Sequence, residues 1–429
     1  MLQPDGEQLL RKFTATAYPK QITEIISGAV YHVMGYGHSN ASFIIGKTSV
    51  ILIDTLDTDL RAKALKNIIA VHTNKPVKTI IYTHGHPDHR GGAGVFMDSE
   101  PEILAFAPSK PVLGRMNALM DILNRRGARQ FGYQLSNEEV VSQGIGIREG
   151  MVQGEGQRAF VAPNTVYTEE RIIRNIDGIT LEFAAAQGET DDQMLVWLPE
   201  YKVLCCGDNY YGCWPNLYAI RGSQYRDINA WVDTLDKLIG YKAHYLLPGH
   251  TRPIIGESNV KETLTNFRDA IDFVLTETLK GMNQGMTIEE VAEAVKLPEK
   301  WASLPYLGEF YGTVTWAVRG IYTGYVGWFD GNPTNLNPLP IRIRAEKTIA
   351  LMGGTEAVLF AICEALDKKD TQWAIELADI LIAAGCATRS AKQFKAQGLI
   401  TLGHQETSAN GRNYYLAYAK ELLTDNSIK

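Results

Sequence analysis

A short histidine-rich segment in the first quarter of the chain has the residue types of a metal site. Residues 83–92 read THGHPDHRGG and hold three of the nine histidines of the chain, beside one aspartate. Neutral imidazole and carboxylate are ligands that zinc and related borderline metals prefer. An extended chain that turns sharply after a strand lets His84 and His86 bind one ion, while Asp88 and His89 bind a second. The segment predicts a metal site; a solvated loop is the alternative.

The segments before this motif predict the strand ends that would position it. Residues 49–53 read as a buried strand that ends at Asp54, a helix pattern covers residues 60–71, and a second strand leads into the histidines. The H-x-H-x-D-H motif in this setting resembles the metallo-β-lactamase superfamily, which implies an α/β fold, the αββα sandwich. The resemblance also implies that Asp54 supports the metal ligands from behind. A simple turn residue is the alternative.

The resemblance implies that the first ion needs a third ligand well after the motif. Most superfamily members use a histidine, but this chain has none between the motif and His244. Glu189, in the loop between two predicted strands, is the expected replacement. Asp191 and Asp192 in the same loop are the competing candidates.

Two more ligands are expected at the ends of later strands. Asp208 follows the apolar segment 203–206, where a carboxylate can bridge two ions about 3.5–4 Å apart. His250 follows the apolar segment 245–247 and ends the ligand series that the resemblance implies. We prefer it to His244, which stands at the start of that strand and is expected to pack.

The loop after Asp208 narrows the resemblance to one family. Residues 215–222 read PNLYAIRG, which resembles the P-N-L-Y-x-x-R-G segment of the alkylsulfatases, the zinc-dependent type III sulfatases. Residues 304–312, residues 325–334 and the tail from residue 373 also look like that family, so the resemblance covers nearly the whole chain. Two departures are expected to matter. The family usually has glutamate at the position of Asp208, and members commonly carry a sterol-carrier-like C-terminal domain that we do not expect here.

Two residues of this loop are predicted to bind the anionic group of a substrate. The guanidinium of Arg221 offers the fork of donors that a sulfate or phosphate ester needs, and Asn216 can add an amide donor. A surface arginine paired with a carboxylate is the alternative for Arg221. Arg226 and Tyr133 are further candidates for the pocket wall.

Composition and charge argue against several classes of partner. The net charge of −6 and the absence of a basic run disfavour nucleic acid. No apolar run approaches the roughly 20 residues needed to span a bilayer. The first residues do not read as a secretory signal, which favours a cytoplasmic protein or an exported one whose signal has been removed. Most of the five cysteines read as small buried residues.

The pattern of predicted elements changes near residue 258. Strands alternate with helices before it, and apolar residues spaced by three and four follow it. This predicts a catalytic domain over residues 1–258 and an all-α domain over residues 259–429. The resemblance identifies the second as a dimerisation domain, and hence a homodimer. The glycine-rich residues 125–164 are either an insertion that covers the active site or a plain surface loop.

The resemblance as a whole implies a hydrolase that uses two zinc ions per chain to convert alkyl sulfate esters into an alcohol and inorganic sulfate. One ion would be held by His84, His86 and Glu189, and the other by Asp88, His89 and His250, with Asp208 between them. The ions would lower the pKa of a shared water from about 15.7 towards 7, so that a bridging hydroxide forms. Two alternatives stay open: the same fold acting on a phosphodiester, lactone or thioester, and a non-catalytic metal-binding scaffold.

Overall fold

Two β-sheets form the framework of the computed structural model, which describes residues 5–109 and 113–424. The strands of the first sheet are β1 (Gln21–Ile26), β2 (Val30–Met34), β3 (Ala41–Ile45), β4 (Val50–Ile53), β5 (Val77–Ile81), β6 (Glu102–Phe106) and β7 (Thr165–Tyr167). Those of the second are β8 (Arg171–Ile176), β9 (Ile179–Ala185), β10 (Met194–Leu198), β11 (Val203–Gly207), β12 (Tyr245–Pro248) and β13 (Ile254–Ile255).

Helices follow or cover these strands. The first six are α1 (Gly6–Ala17), α2 (Asp59–His72), α3 (Pro87–Arg90), α4 (Met120–Gln130), α5 (Gly150–Gln153) and α6 (Ile228–Gly240). The later ones are α7 (Glu257–Asn283), α8 (Ile288–Ala294), α9 (Glu299–Ala302), α10 (Val314–Val326), α11 (Ile341–Leu351), α12 (Thr355–Asp367), α13 (Thr371–Ala384), α14 (Thr388–Gln405) and α15 (Ala409–Thr424). The predicted helix over residues 60–71 corresponds to α2, and the predicted strands before Asp54, His84, Asp208 and His250 are all present.

Strand direction brings the ends of neighbouring strands to common edges. The first sheet runs in chain order, antiparallel from β1 to β4 and parallel from β4 to β7. In the second sheet, β11 and β12 are parallel neighbours. Carboxyl ends of parallel neighbours meet at the same edge of a sheet, so the residues after β4 and β5 lie together, as do those after β11 and β12.

Side chains on each strand alternate between two apolar layers. Leu52 packs in a cluster with Leu65 of α2, whereas Ile51 and Ile53 share a cluster with Phe183 of the second sheet. On the far face of the second sheet, alternate residues of β11 and β12 pack with α6 and α7. This helix–sheet–sheet–helix arrangement is the αββα sandwich that the resemblance implied.

The chain forms two compact units. One contains both sheets and consists of Lys12–Met120 and Ser142–Tyr325. The other is helical and consists of the described parts of Met1–Arg11, Asp121–Val141 and Val326–Lys429. The unit with the sheets extends past residue 258 because α7 buries Val260, Leu264 and Phe267 in the same cluster as strand residues of the second sheet. A domain limit at residue 258 therefore stays a prediction based on the change of pattern.

In the helical unit, Glu7 of α1 is the centre of a charged cluster. Its carboxylate accepts hydrogen bonds from Arg412 at 2.8 Å, from Arg11 at 2.7 Å and from His404 at 2.6 Å. Burial raises the pKa of Glu7, but these partners outweigh it and lower the pKa to about 2. Within residues 5–109 and 113–424, no single helix has the length and apolar character to cross a membrane, although the bent pair α11 and α12 passes that test jointly.

Candidate metal centre

The histidine motif occupies the sharp turn between β5 and α3. His84 and His86 lie in the turn, and Asp88 and His89 lie in α3 itself. Pro87 is the first residue of α3, where its fixed φ suits a helix start and its missing N–H costs nothing. The turn directs the four side chains inwards, as the sequence pattern predicted.

A first group of ligand atoms gathers His84, His86, Glu189 and Asp208 within 4.8 Å of one another. Nε2 of His84 lies 3.0 Å from Nδ1 of His86, which lies 3.2 Å from Oε2 of Glu189. Oδ2 of Asp208 is 3.8 Å from Nε2 of His84. Two imidazole nitrogens and two carboxylate oxygens directed at one small space are a donor set for a divalent cation.

A second group combines His89, Asp208 and His250, with Asp88 beside it. Nε2 of His89 lies 3.3 Å from Oδ2 of Asp88 and 3.4 Å from Oδ1 of Asp208. Nε2 of His250 lies 3.4 Å from Oδ2 of Asp88 and 3.2 Å from Oδ2 of Asp208. Asp208 belongs to both groups, which is the placement of a bridging carboxylate.

Three buried atoms at the centre face opposite charges at 3.2–3.4 Å but make no well-aligned hydrogen bond to any described residue: Nε2 of His89, Nε2 of His250 and Oδ1 of Asp208. Buried polar atoms are normally paired, because leaving one unpaired costs about 1–3 kcal/mol. All three are atoms that bind metals. The residues present therefore fit a pair of metal ions that share Asp208.

The charges at the centre favour the protonation state that binds metal, ionised carboxylate or neutral imidazole, for some of these groups. Burial raises the pKa of Asp208, but His250, His89 and His84 lower it well below its usual value, so the carboxylate is ionised. Burial, and then the charge of His89, lowers the pKa of His84 well below its usual value, so its imidazole is neutral. Burial also lowers the pKa of His250, but Asp208 and Asp88 raise it to about 9. A metal ion must therefore displace a proton from His250 at neutral pH.

Asp54 lies behind the motif and orients two of its histidines. Its Oδ2 accepts hydrogen bonds from Nδ1 of His89 at 2.7 Å and from the hydroxyl of Thr83 at 2.8 Å. That hydroxyl in turn lies 3.1 Å from Nδ1 of His84 and accepts from it. Both Nδ1 atoms are thus donors, so Nε2 is the nitrogen of each ring that faces the ligand groups and can bind a metal once any proton it carries is displaced. Asp54 has the supporting position that the resemblance implied; Thr83 was not singled out by the sequence.

His250 is oriented from a different side. Its Nδ1 lies 3.0 Å from the carbonyl oxygen of His38, whose own Nδ1 lies 2.9 Å from the carbonyl oxygen of Ile147. A ring nitrogen of His38 also lies within 4.8 Å of ligand atoms of Asp88 and His250. Sequence reasoning missed His38, because a single histidine far before the motif carries no spacing signal. Much of the segment 142–150 is buried here, so this part of the glycine-rich region supports His38 from behind. The sequence had offered only an active-site cover or a plain surface loop for residues 125–164, and neither describes this role.

Glu189 is fixed by two partners on the side away from the histidines. Oε1 accepts hydrogen bonds from the hydroxyl of Tyr211 at 2.8 Å and from Arg226 at 3.0 Å. Burial raises the pKa of Glu189, but the charge of Arg226 outweighs it and lowers the pKa to about 2. Oε2 remains directed at His86. Asp191 and Asp192, the competing candidates, belong to neither ligand group.

A cleft of about 350 Å³ opens beside the centre. His86 and Glu189 form part of its wall, and Arg221 lines it as predicted. Asn216 is buried but does not line the cleft, and its main-chain N–H donates to the hydroxyl of Tyr211 at 2.9 Å. Asn216 thus helps to position the loop, and the structure does not bring its amide to the cleft wall.

Two other residues considered from the sequence belong to neither ligand group. Tyr133 belongs to the helical unit. His244 is outside both ligand groups and packs with its ring centroid 4.6 Å from that of Tyr245, as expected. Arg226 lines the cleft, and its guanidinium is engaged by Glu189 and by the carbonyl oxygen of Asn216.

Two family models match the chain. The model described as metallo-beta-lactamase superfamily matches residues 34–250, and the model described as alkyl sulfatase dimerisation matches residues 287–425. The linear primary-alkylsulfatase of a Pseudomonas strain is 36% identical over 383 residues, which are 87% of this chain and 72% of that protein. The alkyl/aryl-sulfatase BDS1 of Saccharomyces cerevisiae is 34% identical over 413 residues, which are 92% of this chain and 63% of that protein.

A solved structure shows the same likeness in three dimensions. The stereoselective inverting sec-alkylsulfatase Pisa1 from Pseudomonas superimposes with a TM-score of 0.85 at 30% identity. The match covers 98% of this chain and 67% of that one. The likeness therefore includes both the sandwich and the helices that follow it.

Proposed function

This chain belongs to the alkylsulfatase family of the metallo-β-lactamase superfamily, and from that premise we propose that it hydrolyses alkyl sulfate esters to an alcohol and inorganic sulfate. The observation that carries the proposal is the pair of ligand groups that share Asp208 beside a cleft lined by Arg221. The matched relatives bear the name alkylsulfatase. Because the chain spans 63–72% of the length of these two relatives, the activity is a proposal for this protein.

We propose zinc as the metal in both positions. His84, His86 and Glu189 would hold one ion, and the second group of ligands would hold the other, with Asp208 contacting both. Imidazole and carboxylate at these positions suit zinc, and a pair of bound zinc ions supplies a water whose pKa is lowered towards 7. The chain itself supplies the orientation of the ligands, through Asp54 and Arg226.

Arg221 is the proposed anchor of the sulfate group. Its guanidinium is largely buried in the wall of the cleft, where water screens its charge less than at the surface. It can donate two parallel hydrogen bonds to sulfate oxygens and stabilise negative charge that develops on the group during cleavage. Asn216 would act on Arg221 indirectly, through the shape of the loop.

Sulfate release from a panel of primary alkyl sulfates by the zinc-loaded protein tests the proposal. Arg221→Ala should lower kcat by about 100- to 1,000-fold, the usual cost of removing one anion-stabilising donor, while both metals stay bound. Arg319→Ala, at an exposed arginine paired with Glu289, is the control and should act like wild type. No sulfate release by wild type with two metals bound would contradict the proposal and favour phosphodiesters, lactones or thioesters as substrates.

We also propose that the protein is a homodimer. A dimerisation domain is present by sequence match, and its described residues include large apolar side chains with high exposure: Trp328 at 75%, Leu351 at 90% and Phe360 at 65%. Covering such side chains stabilises an interface by about 25 cal/mol per Å². Light scattering on wild type should give twice the mass of one chain, and Leu351→Glu with Phe360→Glu should give a single-chain mass. A wild-type monomer would refute the proposal.

A further inference from the structure

The residue that directly follows the motif, Arg90, faces the substrate space. It is the last residue of α3, one position after His89. Arg90 lines the cleft described above and also a second cavity of about 220 Å³, which shares Gly85, Pro108 and Asp192 with the cleft. Arg90 therefore stands where the two spaces adjoin, next to the metal centre.

Within the described residues, the guanidinium of Arg90 makes no hydrogen bond or ion pair, although it is half-buried. Its contact is with an aromatic ring, since the guanidinium carbon lies 4.5 Å from the ring centroid of Phe160. Two buried arginines of this unit are, by contrast, paired: Arg226 with Glu189 at 3.0 Å, and Arg61 with Asp57 at 3.0 Å. Burial lowers the pKa of Arg90, and the charge of Asp192 offsets part of that effect, but Asp192 makes no hydrogen bond or ion pair with the guanidinium. The donors of this partly buried cation are therefore open to an anion supplied from outside the chain.

The second cavity has a wall suited to a short apolar group. Tyr82, Phe106 and Val166 line it, and His84 of the first ligand group lies at its border. An ester that places its sulfate near the ions could pass a short hydrocarbon spacer along this wall. The other end of a short spacer would then be within the same cavity as Arg90, whose planar fork matches a carboxylate or a similar oxyanion.

We propose that Arg90 binds a second anionic group, carried on the alcohol part of the substrate, and that the enzyme therefore prefers short sulfate esters with a terminal carboxylate. This inference rests on the proposed sulfatase function. What carries it is that an apolar wall and the guanidinium of Arg90 line the same cavity, beside His84 of the first ligand group.

A matched pair of esters tests the inference. One is 5-(sulfooxy)pentanoate, and the other is 5-methylhexyl sulfate, in which two methyl groups replace the carboxylate oxygens. Wild type should have the larger kcat/KM for the carboxylate ester. In Arg90→Met, the ratio of the two kcat/KM values should fall about 10- to 100-fold, the usual value of a charge-assisted hydrogen bond. Because each protein sample is measured on both esters, any loss of metal in the variant affects both and cancels in the ratio.

Two further variants separate a direct contact from a general charge effect. Arg158→Met removes the charge of a nearby arginine that is paired with Glu149 and lines neither cavity, so the ratio should stay at the wild-type value. Arg90→Lys keeps the charge but not the fork and should lose less of the preference than Arg90→Met. A wild type without preference, or an equal change of ratio in Arg90→Met and Arg158→Met, would overturn the inference. If wild type releases sulfate from neither ester, the proposed function itself fails and this inference with it.

Discussion

Replacing Asp54 by asparagine is expected to weaken metal binding without removing any metal ligand. Asp54 uses both carboxylate oxygens: Oδ2 accepts from Nδ1 of His89 and from the hydroxyl of Thr83, and Oδ1 accepts from the main-chain N–H of Thr83 at 2.9 Å. An asparagine must place its NH₂ group where one of these oxygens stands. At the Oδ1 position the NH₂ group would face the main-chain N–H of Thr83, and at the Oδ2 position it would face Nδ1–H of His89, so two donors oppose each other in either orientation.

The size of the effect follows from the bond that is lost. A hydrogen bond to a charged group contributes about 1.5–3 kcal/mol, which corresponds to about 10- to 100-fold in a dissociation constant. The main-chain N–H of Thr83 cannot become an acceptor, whereas the ring of His89 can change tautomer, so the NH₂ group favours the Oδ2 position and the loss falls on His89. The ring then favours the tautomer with its proton on Nε2, which has no lone pair for a metal there. Supporting residues behind metal ligands commonly have effects of this size.

Zinc titration in competition with a chromogenic chelator measures the prediction. Asp54→Asn should show a dissociation constant about 10- to 100-fold higher for at least one ion. The control is Asp177→Asn, since Asp177 also accepts hydrogen bonds from a neighbouring turn, including Ser49 N at 2.7 Å, yet belongs to no ligand group. Unchanged zinc affinity in Asp54→Asn, or equal weakening in the control, would refute the reasoning.

Three other changes probe the packing around the centre and the charged cluster of the helical unit. Arg226→Met leaves Glu189 buried without its cation, so the free energy of unfolding of the metal-free protein in urea should fall by about 3–5 kcal/mol. Bound zinc should reduce this loss of stability. An equal loss with and without zinc would contradict the prediction. In Gly249→Ala the new methyl group would overlap Oδ1 of Asp208, so elemental analysis should find less metal per chain than in wild type. A wild-type metal content would contradict the close contact between Gly249 and Asp208. The pKa of Glu7 lies near 2 in the fold and 4.5 is its ordinary value, so the stabilisation it gives is present above pH 4.5 and is lost as the pH falls towards 2. Glu7→Gln should therefore cost at most about 2 kcal/mol at pH 7, after allowance for solvent screening. The difference from wild type should shrink as the pH falls from 4.5 and be nearly gone by pH 2; an undiminished difference there would count against this account.

The fold was largely readable from local patterns. Short apolar segments bounded by turn residues predicted β4, β9, β10, β11 and β12, because buried strands of a sandwich are apolar on both faces. The start of α8 is also set locally, since Thr287 and Glu290 exchange reciprocal hydrogen bonds there. The compact units were not readable, because they depend on which helices pack on a sheet. Residues 121–141 join the helical unit although they lie between segments of the other.

The candidate site was readable in its ligands, but among its supports only Asp54 was implied by the sequence. His84, His86, Asp88 and His89 are close in sequence, so a single turn brings them together. The supports His38, Thr83, Tyr211 and Arg226 come from four separate segments. Their partners are chosen by distance in the fold, and the chain between them has no spacing that could mark the pairs.

By itself, the sequence determined which residue types could bind metal and which strand ends would present them. A strand that ends in a tight turn fixes side-chain direction over a few residues, and this is local geometry. Only the tertiary structure decided that Asp208 belongs to both ligand groups, that Arg226 holds Glu189 while Arg221 lines the cleft, and that Arg90 makes no hydrogen bond or ion pair within the described residues. Those outcomes depend on contacts between segments far apart in the chain, where burial removes water and makes each unpaired charge costly.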